Sequence, residues 1–381
     1  MKIVIAPDSF KGSLTAMQAA QAMVDGIHDV DPKIETVMLP AADGGEGTMV
    51  SLVGATNGTI VSVVVQDPLG RDVKASYGVL GDGETGVIEI AEASGLMLLT
   101  DEEKNPFITS TFGTGELIAH ALDAGLRKFI IGLGGSATND GGAGMLQALG
   151  MKMLDADGVQ LQKGGGSLHK LSKIDVSHFD KRIAESDFLV ACDVENPFIG
   201  PEGASAVFGP QKGASPEMVV VLDTNLTKLA SVVEELTGIS LQARKGAGAA
   251  GGAGGAFQAF FPGDMKQGIS VVLEAISFDE QIADADLILT GEGKTDSQTL
   301  SGKTPFGVAK VANREGKPII LISGALDEES RELVAPMFTE LHAVADGTVS
   351  SKASIDNASH YLRLKTKRVM EDYLTRLGVI D

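Results

Sequence analysis

A glycine-rich segment at residues 132–144 constrains the fold of this chain more than any other sequence feature. Six of its thirteen residues are glycine, and it lies between an apolar segment at 128–131 and an apolar helical pattern at 145–149. This order predicts a strand, a loop and a helix. Glycine has no Cβ atom, so backbone N–H groups in such a loop can approach a ligand closely, and the dipole of the following helix favours an anion.

We therefore predict a phosphate-binding loop at this position, with a flexible surface loop as the alternative. The candidate nucleotide-binding residues in the loop are Gly134, Gly135, Ser136, Thr138, Asn139, Asp140 and Gly141.

The same segment also matches a dinucleotide-binding pattern. Residues 132–137 fit GxGxxA after a strand, a motif that needs an acidic residue about 20 positions later at the end of the next strand. Asp155 and Asp157 have the right spacing but lie in a turn-like sequence. An NAD-dependent oxidoreductase of small hydroxy acids is therefore the less favoured alternative.

A polar loop follows the first predicted strand, at residues 2–6, and precedes a helical pattern. In open parallel α/β sheets, ligands bind at the carboxyl ends of the strands. Lys11 stands at the predicted helix start, where the helix dipole disfavours a cation, and this favours a functional role. The alternative is that Ser13 or Asp8 caps the helix. The candidate residues of this loop are Asp8, Ser9, Lys11 and Ser13.

Further polar loops follow other predicted strands. Asp43 and Glu46 lie on a glycine loop after the strand at 34–39, which suggests a Mg²⁺ or hydroxyl site, or acidic residues at a helix start. Asp193 ends a predicted strand and Asn196 follows it.

The C-terminal part of the chain adds a loop at 291–298 and a helix start at 301–305, which contain the candidates Glu292, Lys294, Asp296 and Lys303. Asp296 could instead cap a helix. The glycine-rich residues 246–254 could cradle phosphates or allow close helix packing.

The strand pattern predicts an α/β fold with two domains. Short strands at 2–6, 34–39, 286–290, 318–322 and 341–344 indicate one doubly wound parallel-sheet domain, formed by residues 1–60 plus 281–381. Alternating segments at 60–65, 73–80 and 86–90 indicate antiparallel strands at the start of a second α/β domain, residues 61–280, inserted into the first.

Composition limits the partners. The net charge is −20, with 31 basic and 51 acidic residues, which argues against nucleic acid or an anionic membrane as a partner. A single cysteine, Cys192, excludes an intrachain disulfide and fits a reducing compartment. The sequence begins without the long apolar segment of a signal peptide, and no apolar run is long enough to span a membrane. We expect a cytoplasmic protein. The sequence leaves the oligomeric state open, a homo-oligomer included.

Six motifs in order resemble those of the bacterial type I glycerate kinases, and the resemblance covers essentially the whole chain. The motifs lie at residues 8–13, 43–47, 134–142, 192–197, 246–252 and 290–298. The resemblance implies ATP-dependent phosphorylation of D-glycerate to 2-phosphoglycerate, with Mg²⁺, in the cytoplasm. It also implies a flavodoxin-like domain that carries an inserted restriction-endonuclease-like domain. A kinase that forms 3-phosphoglycerate and a non-catalytic ligand-binding protein remain alternatives.

Residue roles follow from the chemistry of phosphoryl transfer, which is mostly positioning and charge stabilisation. A carboxylate must accept the proton of the attacking hydroxyl, and the catalytic candidates are Asp8, Lys11 and Asp193. The substrate-binding candidates are Ser9, Ser13 and Asn196. The predicted metal ligands are Asp43, Glu292 and Asp296, with Asp140 as a further candidate. Lys294 or Lys303 could neutralise the charge of the transferred group. Which carboxylate acts as the base stays open.

Overall fold

The structure is a computed structural model that describes residues 1–42, 44–45 and 47–380, apart from the side chains of Gln298 and Ser301. Its strands are β1 (Lys2–Ile5), β2 (Glu35–Met38), β3 (Thr59–Gln66), β4 (Asp72–Val79), β5 (Thr85–Glu89), β6 (Lys128–Gly132), β7 (Lys152–Leu154), β8 (Lys173–Asp175), β9 (Asp187–Ala191), β10 (Gly263–Lys266), β11 (Leu287–Thr290), β12 (Lys294–Thr295), β13 (Ile319–Ser323), β14 (Ala325–Leu326) and β15 (Glu340–Ala343).

The helices alternate with these strands along much of the chain. They are α1 (Ala16–His28), α2 (Thr48–Thr56), α3 (Ala91–Ser94), α4 (Phe112–Asp123), α5 (Ala143–Ala148), α6 (Ala204–Phe208), α7 (Pro216–Thr237), α8 (Ala253–Phe260), α9 (Gly268–Ala275), α10 (Phe278–Ile282), α11 (Thr304–Arg314), α12 (Glu328–Val334), α13 (Ser351–Asp356) and α14 (Ala358–Arg376).

The chain divides into two compact units. The first unit comprises Met1–Asp43, Val50–Asn57 and Gly268–Asp381. The second unit comprises Gly44–Met49 and Gly58–Gln267.

The first unit contains a five-stranded sheet in the order β15-β13-β11-β1-β2, and every neighbouring pair is parallel. The five predicted strand segments all belong to this sheet, so the prediction of one parallel sheet is confirmed. β11 and β13 are buried along their whole length and are apolar except for their last residues, Thr290 and Ser323, as expected for central strands covered on both faces. Because the strands are parallel, the loops that follow them share one edge of the sheet.

A close helix pair covers part of this sheet. The apolar residues Ala19, Met23 and Ile27 of α1 are fully buried. Gly26 lies where the backbone of α14 approaches α1, and a Cβ atom at this position would stand 2.5 Å from the carbonyl oxygen of Arg363. The absence of a side chain at residue 26 therefore sets the distance between the two helices.

The second unit contains a six-stranded mixed sheet in the order β10-β9-β6-β5-β4-β3. β3 pairs with β4 and β4 with β5 in antiparallel fashion, which confirms the antiparallel strands predicted from the alternating sequence pattern. The pairs β5–β6, β6–β9 and β9–β10 are parallel. β6 lies between β5 and β9, so the glycine-rich loop that follows it begins at an interior strand of the sheet.

Candidate active site

A cavity of about 500 Å³ lies in the first unit, within the usual size range of small-molecule sites. Its walls include residues from the loops that follow β1, β11, β13 and β15, so it lies at the carboxyl edge of the five-stranded sheet. Open parallel sheets bind ligands at this edge. The predicted site residues that line the cavity are Asp8, Ser9, Lys11, Ser13, Glu292, Lys294, Asp296 and Lys303.

Asp8 is held in place from both ends of the chain. Its backbone N–H donates to the carbonyl of Gly291, which extends the pairing of β1 with β11. Its Oδ1 accepts a hydrogen bond from the N–H of Ser9 at 2.6 Å. Its Oδ2 accepts one from the hydroxyl of Thr304 at 2.8 Å, 296 positions later in the sequence. These contacts fix the carboxylate at the cavity wall.

The loop after Asp8 forms a tight turn rather than the start of a helix. Gly12 has a φ of +79°, and the N–H and hydroxyl of Ser13 both donate to the carbonyl of Phe10. Helix α1 begins only at Ala16 and is capped by Thr15. Neither Ser13 nor Asp8 caps the helix, so that alternative is wrong.

The position of Lys11 also corrects the expectation that this cation stands at a helix start. Lys11 is exposed in the turn, before the cap of α1, and it lines the cavity. The helix dipole therefore does not bear on its role. Its place in the cavity wall, and not an unfavourable position in a helix, is what supports a functional role.

Glu292 lies deep in the cavity wall, with 5% of its surface exposed. Its Oε1 accepts hydrogen bonds from the hydroxyls of Thr295 at 2.9 Å and Thr299 at 2.7 Å. Burial raises the pKa of the Glu292 carboxyl, the threonine hydroxyls and Lys303 oppose this rise, and the charge of Asp8 adds to it.

Glu292 and Asp296 both face the ammonium group of Lys303. The Nζ atom lies 3.8 Å from Oε2 of Glu292 and 3.3 Å from Oδ1 of Asp296. Among the described residues, no group of three or more His, Cys, Asp or Glu side chains is arranged to hold a metal. In phosphate-transferring sites, however, Mg²⁺ typically binds one or two carboxylates together with substrate phosphates. The pair fits that donor set, and Asp43 lies outside the described residues.

A second set of residues in the cavity wall was not anticipated from the sequence. It is mainly apolar and comes from the end of β15 and from α13 and α14, with lining residues Val344, Ser351, Ser354, Ile355, Ala358 and Leu362. No motif marks these residues. Val344 alone carried a signal, because it is the last residue of the predicted strand at 341–344.

The glycine-rich loop of the second unit is mostly buried. Asp140 is fully buried, and its carboxylate accepts hydrogen bonds from the N–H and hydroxyl of Thr111, both at 2.9 Å. It also accepts from the N–H groups of Gly142 at 3.1 Å and Gly144 at 3.2 Å. Burial raises the pKa of Asp140, and these hydrogen bonds oppose the rise.

Asp140 therefore covers the N-terminal N–H groups of α5, and this corrects the expectation that they face a ligand. Thr138 and Asn139 are also fully buried, and Asn139 donates to the hydroxyl of Ser205 at 2.9 Å. At Gly141 a Cβ atom would lie 2.3 Å from Leu229. Nucleotide binding by these four residues stays a prediction, and their burial favours an internal role.

Only the first part of this loop is exposed to solvent. Gly134 and Gly135 are exposed, and Ser136 retains 6% exposure. The hydroxyl of Ser136 accepts a hydrogen bond from Lys212, a buried lysine that the sequence analysis did not single out. The sequence around Lys212 is Gly-Pro-Gln-Lys-Gly, which signals a tight turn but not a buried cation.

The second glycine-rich segment, at 246–254, packs against the first. The N–H of Gly141 donates to the carbonyl of Gly251 at 2.9 Å. A Cβ atom at Gly251 would lie 1.9 Å from the carbonyl oxygen of Thr138. Of the two alternatives for this segment, close packing is the one that the geometry favours.

Asp193 and Asn196 lie in the second unit, after β9. Asp193 is exposed. The Nδ2 of Asn196 donates to the carbonyl of Glu202 at 2.8 Å, which holds the amide within its own loop.

In the described residues, no helix combines the length and apolar character that crossing a membrane requires.

Comparison with known proteins identifies the family. A sequence model described as the glycerate kinase family matches residues 3–374. The chain belongs to this family. It is 50% identical over 362 residues to a glycerate kinase of Bacillus subtilis (strain 168), covering 95% of each chain. It is 50% identical over 329 residues to a glycerate 2-kinase of Escherichia coli (strain K12), covering 86% of each.

The fold agrees with the family. A crystal structure assigned as glycerate kinase 2 from Salmonella typhimurium LT2 superposes with a TM-score of 0.91 at 46% identity, covering 99% of both chains. As a member of the glycerate kinase family, the protein is an enzyme of the kinase class. Membership in a kinase family decides against the oxidoreductase alternative.

Proposed function

We propose that the protein transfers the γ-phosphoryl group of ATP to the 2-hydroxyl of D-glycerate, with Mg²⁺ as cofactor. The observation that carries the proposal is the charged wall of the cavity in the first unit. It combines the carboxylates of Asp8, Glu292 and Asp296 with lysines at 11, 294 and 303. The choice of the 2-position rests on the similarity to the E. coli glycerate 2-kinase.

Asp8 is the proposed general base. Its carboxylate is fixed by Ser9 and Thr304 at the cavity wall, where it can accept a proton from the attacking hydroxyl. Lys11 pairs with the carboxylate of glycerate, and Ser9 contributes polar contacts. Ser13 also lines the cavity, although its hydroxyl donates to Phe10. Asp193 is the second candidate for the base, with Asn196 as a substrate contact beside it in the sequence.

Glu292 and Asp296 are the proposed Mg²⁺ ligands, together with Asp43. When bound, the metal supplies positive charge that offsets the charge of the phosphate oxygens. Lys303 already lies between the two carboxylates, and it can turn to the transferred phosphoryl group when they hold the metal. Lys294 is exposed at the same wall and adds positive charge.

The finer description of the fold is also part of the proposal. We infer a flavodoxin-like domain at residues 1–60 plus 281–381 and a restriction-endonuclease-like domain at 61–280. The parallel order of the five-stranded sheet and the mixed six-stranded sheet support this description. The single cysteine supports a cytoplasmic location.

The proposal is tested by measuring ADP release with D-glycerate, ATP and Mg²⁺. We expect turnover that needs all three components. Turnover with ATP and another small hydroxy acid, but not with D-glycerate, would contradict the proposed substrate. ATP binding without turnover on any hydroxy acid would favour a ligand-binding protein.

A further inference from the structure

Lys212 is buried to an extent that is rare for a lysine. Only 1% of its surface is exposed, and it ends a short turn at Pro210–Lys212 in the second unit. Lysines are almost never fully buried unless their charge is paired or used. Its position therefore calls for a partner.

The partners of Lys212 lie in the glycine-rich loop. Its Nζ donates to the hydroxyl oxygen of Ser136 at 2.9 Å and to the carbonyl oxygen of Thr138 at 2.7 Å. Asp140 acts on Lys212 through its charge, but the carboxylate of Asp140 is already bonded to Thr111, Gly142 and Gly144. The positive charge of Lys212 is therefore held by neutral oxygens of this loop.

In the ammonium form of Lys212, the hydrogen bond to Ser136 has a fixed direction. An ammonium group can only donate, so the oxygen of Ser136 accepts and its hydroxyl proton must point elsewhere. Among the residues that the structure describes, none accepts that proton. Two further oxygens of the same loop, Oγ1 of Thr138 and Oδ1 of Asn139, are buried without a hydrogen-bond partner. Such groups usually have a partner in the working protein.

The surroundings of Ser136 indicate where its proton points. Ser136 stands where the buried part of the loop meets its exposed part, Gly134 and Gly135. Neither glycine has a side chain to block the backbone, and Gly135 has a φ of +73° that other residues rarely adopt. An anion can approach the hydroxyl of Ser136 from this side.

We propose that Lys212 is a positioning residue that directs the hydroxyl proton of Ser136 to an anionic oxygen bound at Gly134–Ser136. We favour a phosphate of the nucleotide, because the proposed function already assigns the carboxylate of glycerate to Lys11, and the test below distinguishes the two anions. This inference rests on the proposed function. The ammonium charge lies directly behind the hydroxyl, so it strengthens the hydrogen bond to the anion.

Burial also makes this charge responsive to the anion. It lowers the pKa of Lys212 to about 7, against the ordinary 10.5, and the charge of Asp140 opposes the change. A bound anion favours the ammonium form in the same way. The alternative is that Lys212 is only a cross-link between the turn and the loop.

The test compares Lys212→Met with the wild type in the full chain. Methionine keeps the length of the side chain and removes its charge and its donors. The matched control is Lys128→Met, which removes an exposed lysine at the start of β6, paired with Glu84. Calorimetry measures the affinities for MgADP and for D-glycerate, and kinetics measures kcat and the KM of each substrate.

We expect Lys212→Met to weaken one of the two ligands by about 10-fold or more, because the Ser136 hydroxyl is no longer directed to the anion or strengthened by the ammonium charge, while Lys128→Met binds like the wild type. A loss confined to MgADP, with a raised KM for ATP, identifies a phosphate. A loss confined to D-glycerate identifies the carboxylate. Wild-type affinities for both ligands in Lys212→Met would overturn the inference.

A second variant covers the case in which Lys212→Met does not fold. Ser136→Ala removes only the hydroxyl and leaves Lys212 bonded to the carbonyl of Thr138. We expect this variant to fold with a modestly lower melting temperature, because one hydrogen bond to a buried donor is lost, and to weaken the same ligand. Unchanged affinities in this variant would overturn the inference, as would a wild type that binds neither ligand. Failure of the proposed function looks different, because the wild type would then bind an anion at this loop but release no ADP with D-glycerate.

Discussion

The Asp8→Asn variant separates catalysis from stability at the proposed base. Asparagine keeps the shape of the side chain but cannot accept a proton at neutral pH. Asp8 accepts hydrogen bonds from Ser9 and Thr304 through different oxygens, and asparagine offers one oxygen, so one bond is lost. That loss costs about 0.5–1.5 kcal/mol of the free energy of unfolding. Loss of a general base lowers kcat by about 10²–10⁴-fold.

The control for this prediction is Thr304→Val. It removes the hydroxyl that donates to Asp8 but leaves the carboxylate in place, so its loss of stability matches that of Asp8→Asn while its loss of kcat is much smaller. Steady-state ADP release gives kcat, and urea unfolding gives the free energy of unfolding. A folded Asp8→Asn variant with a kcat close to that of Thr304→Val would refute the role of Asp8 and move attention to Asp193.

Three further predictions concern other parts of the molecule. Gly251→Ala should lower the free energy of unfolding by about 3 kcal/mol or more, because residue 251 has a φ of +66° and its Cβ atom would lie 1.9 Å from the carbonyl oxygen of Thr138. Urea unfolding checks this prediction, and Gln21→Ala on the exposed face of α1 is a near-neutral control. Asp296→Asn should raise the Mg²⁺ concentration needed for half-maximal turnover, and an unchanged Mg²⁺ titration would contradict its role as a ligand. Lys212 has a pKa of about 7 in the folded protein and an ordinary value of 10.5. Between these values the unfolded chain binds one more proton at Lys212 than the folded protein does. The free energy of unfolding of the wild type, relative to Lys212→Met, should therefore rise from pH 7 to pH 10 and stay flat below pH 7. An unfolding series that shows no rise would contradict the lowered pKa of Lys212.

The sequence predicted the charged wall of the cavity well. Asp8 and Glu292 come from distant parts of the chain, but both follow short apolar strands, and β1 and β11 are parallel neighbours. The carboxyl ends of such strands share one edge, so strand order alone brings these loops together. The loops after β1 and β11 also bring Lys11 and Asp296 to this wall, whereas Lys303 was predicted at a helix start and lies at the N-cap of α11.

The burial of the glycine-rich loop, the burial of Lys212 and the apolar part of the cavity wall depend on contacts between distant residues, which no local sequence pattern indicates. A glycine-rich segment has the same composition whether it is exposed or packed, and the burial of Thr138, Asn139 and Asp140 comes from their contacts with residues 246–254 and with Thr111. Lys212 is buried because a distant turn meets the loop 76 positions away. The apolar cavity wall, including Ile355, comes from helices that carry no motif.

The most direct test of the proposed reaction is to determine the position of the phosphate in the product. Purified protein is incubated with D-glycerate, ATP and Mg²⁺, and enolase is added without a phosphoglycerate mutase. We expect enolase to consume the product at once, because the product is 2-phosphoglycerate. A product that enolase consumes only after a mutase is added would be 3-phosphoglycerate and would contradict the proposed reaction.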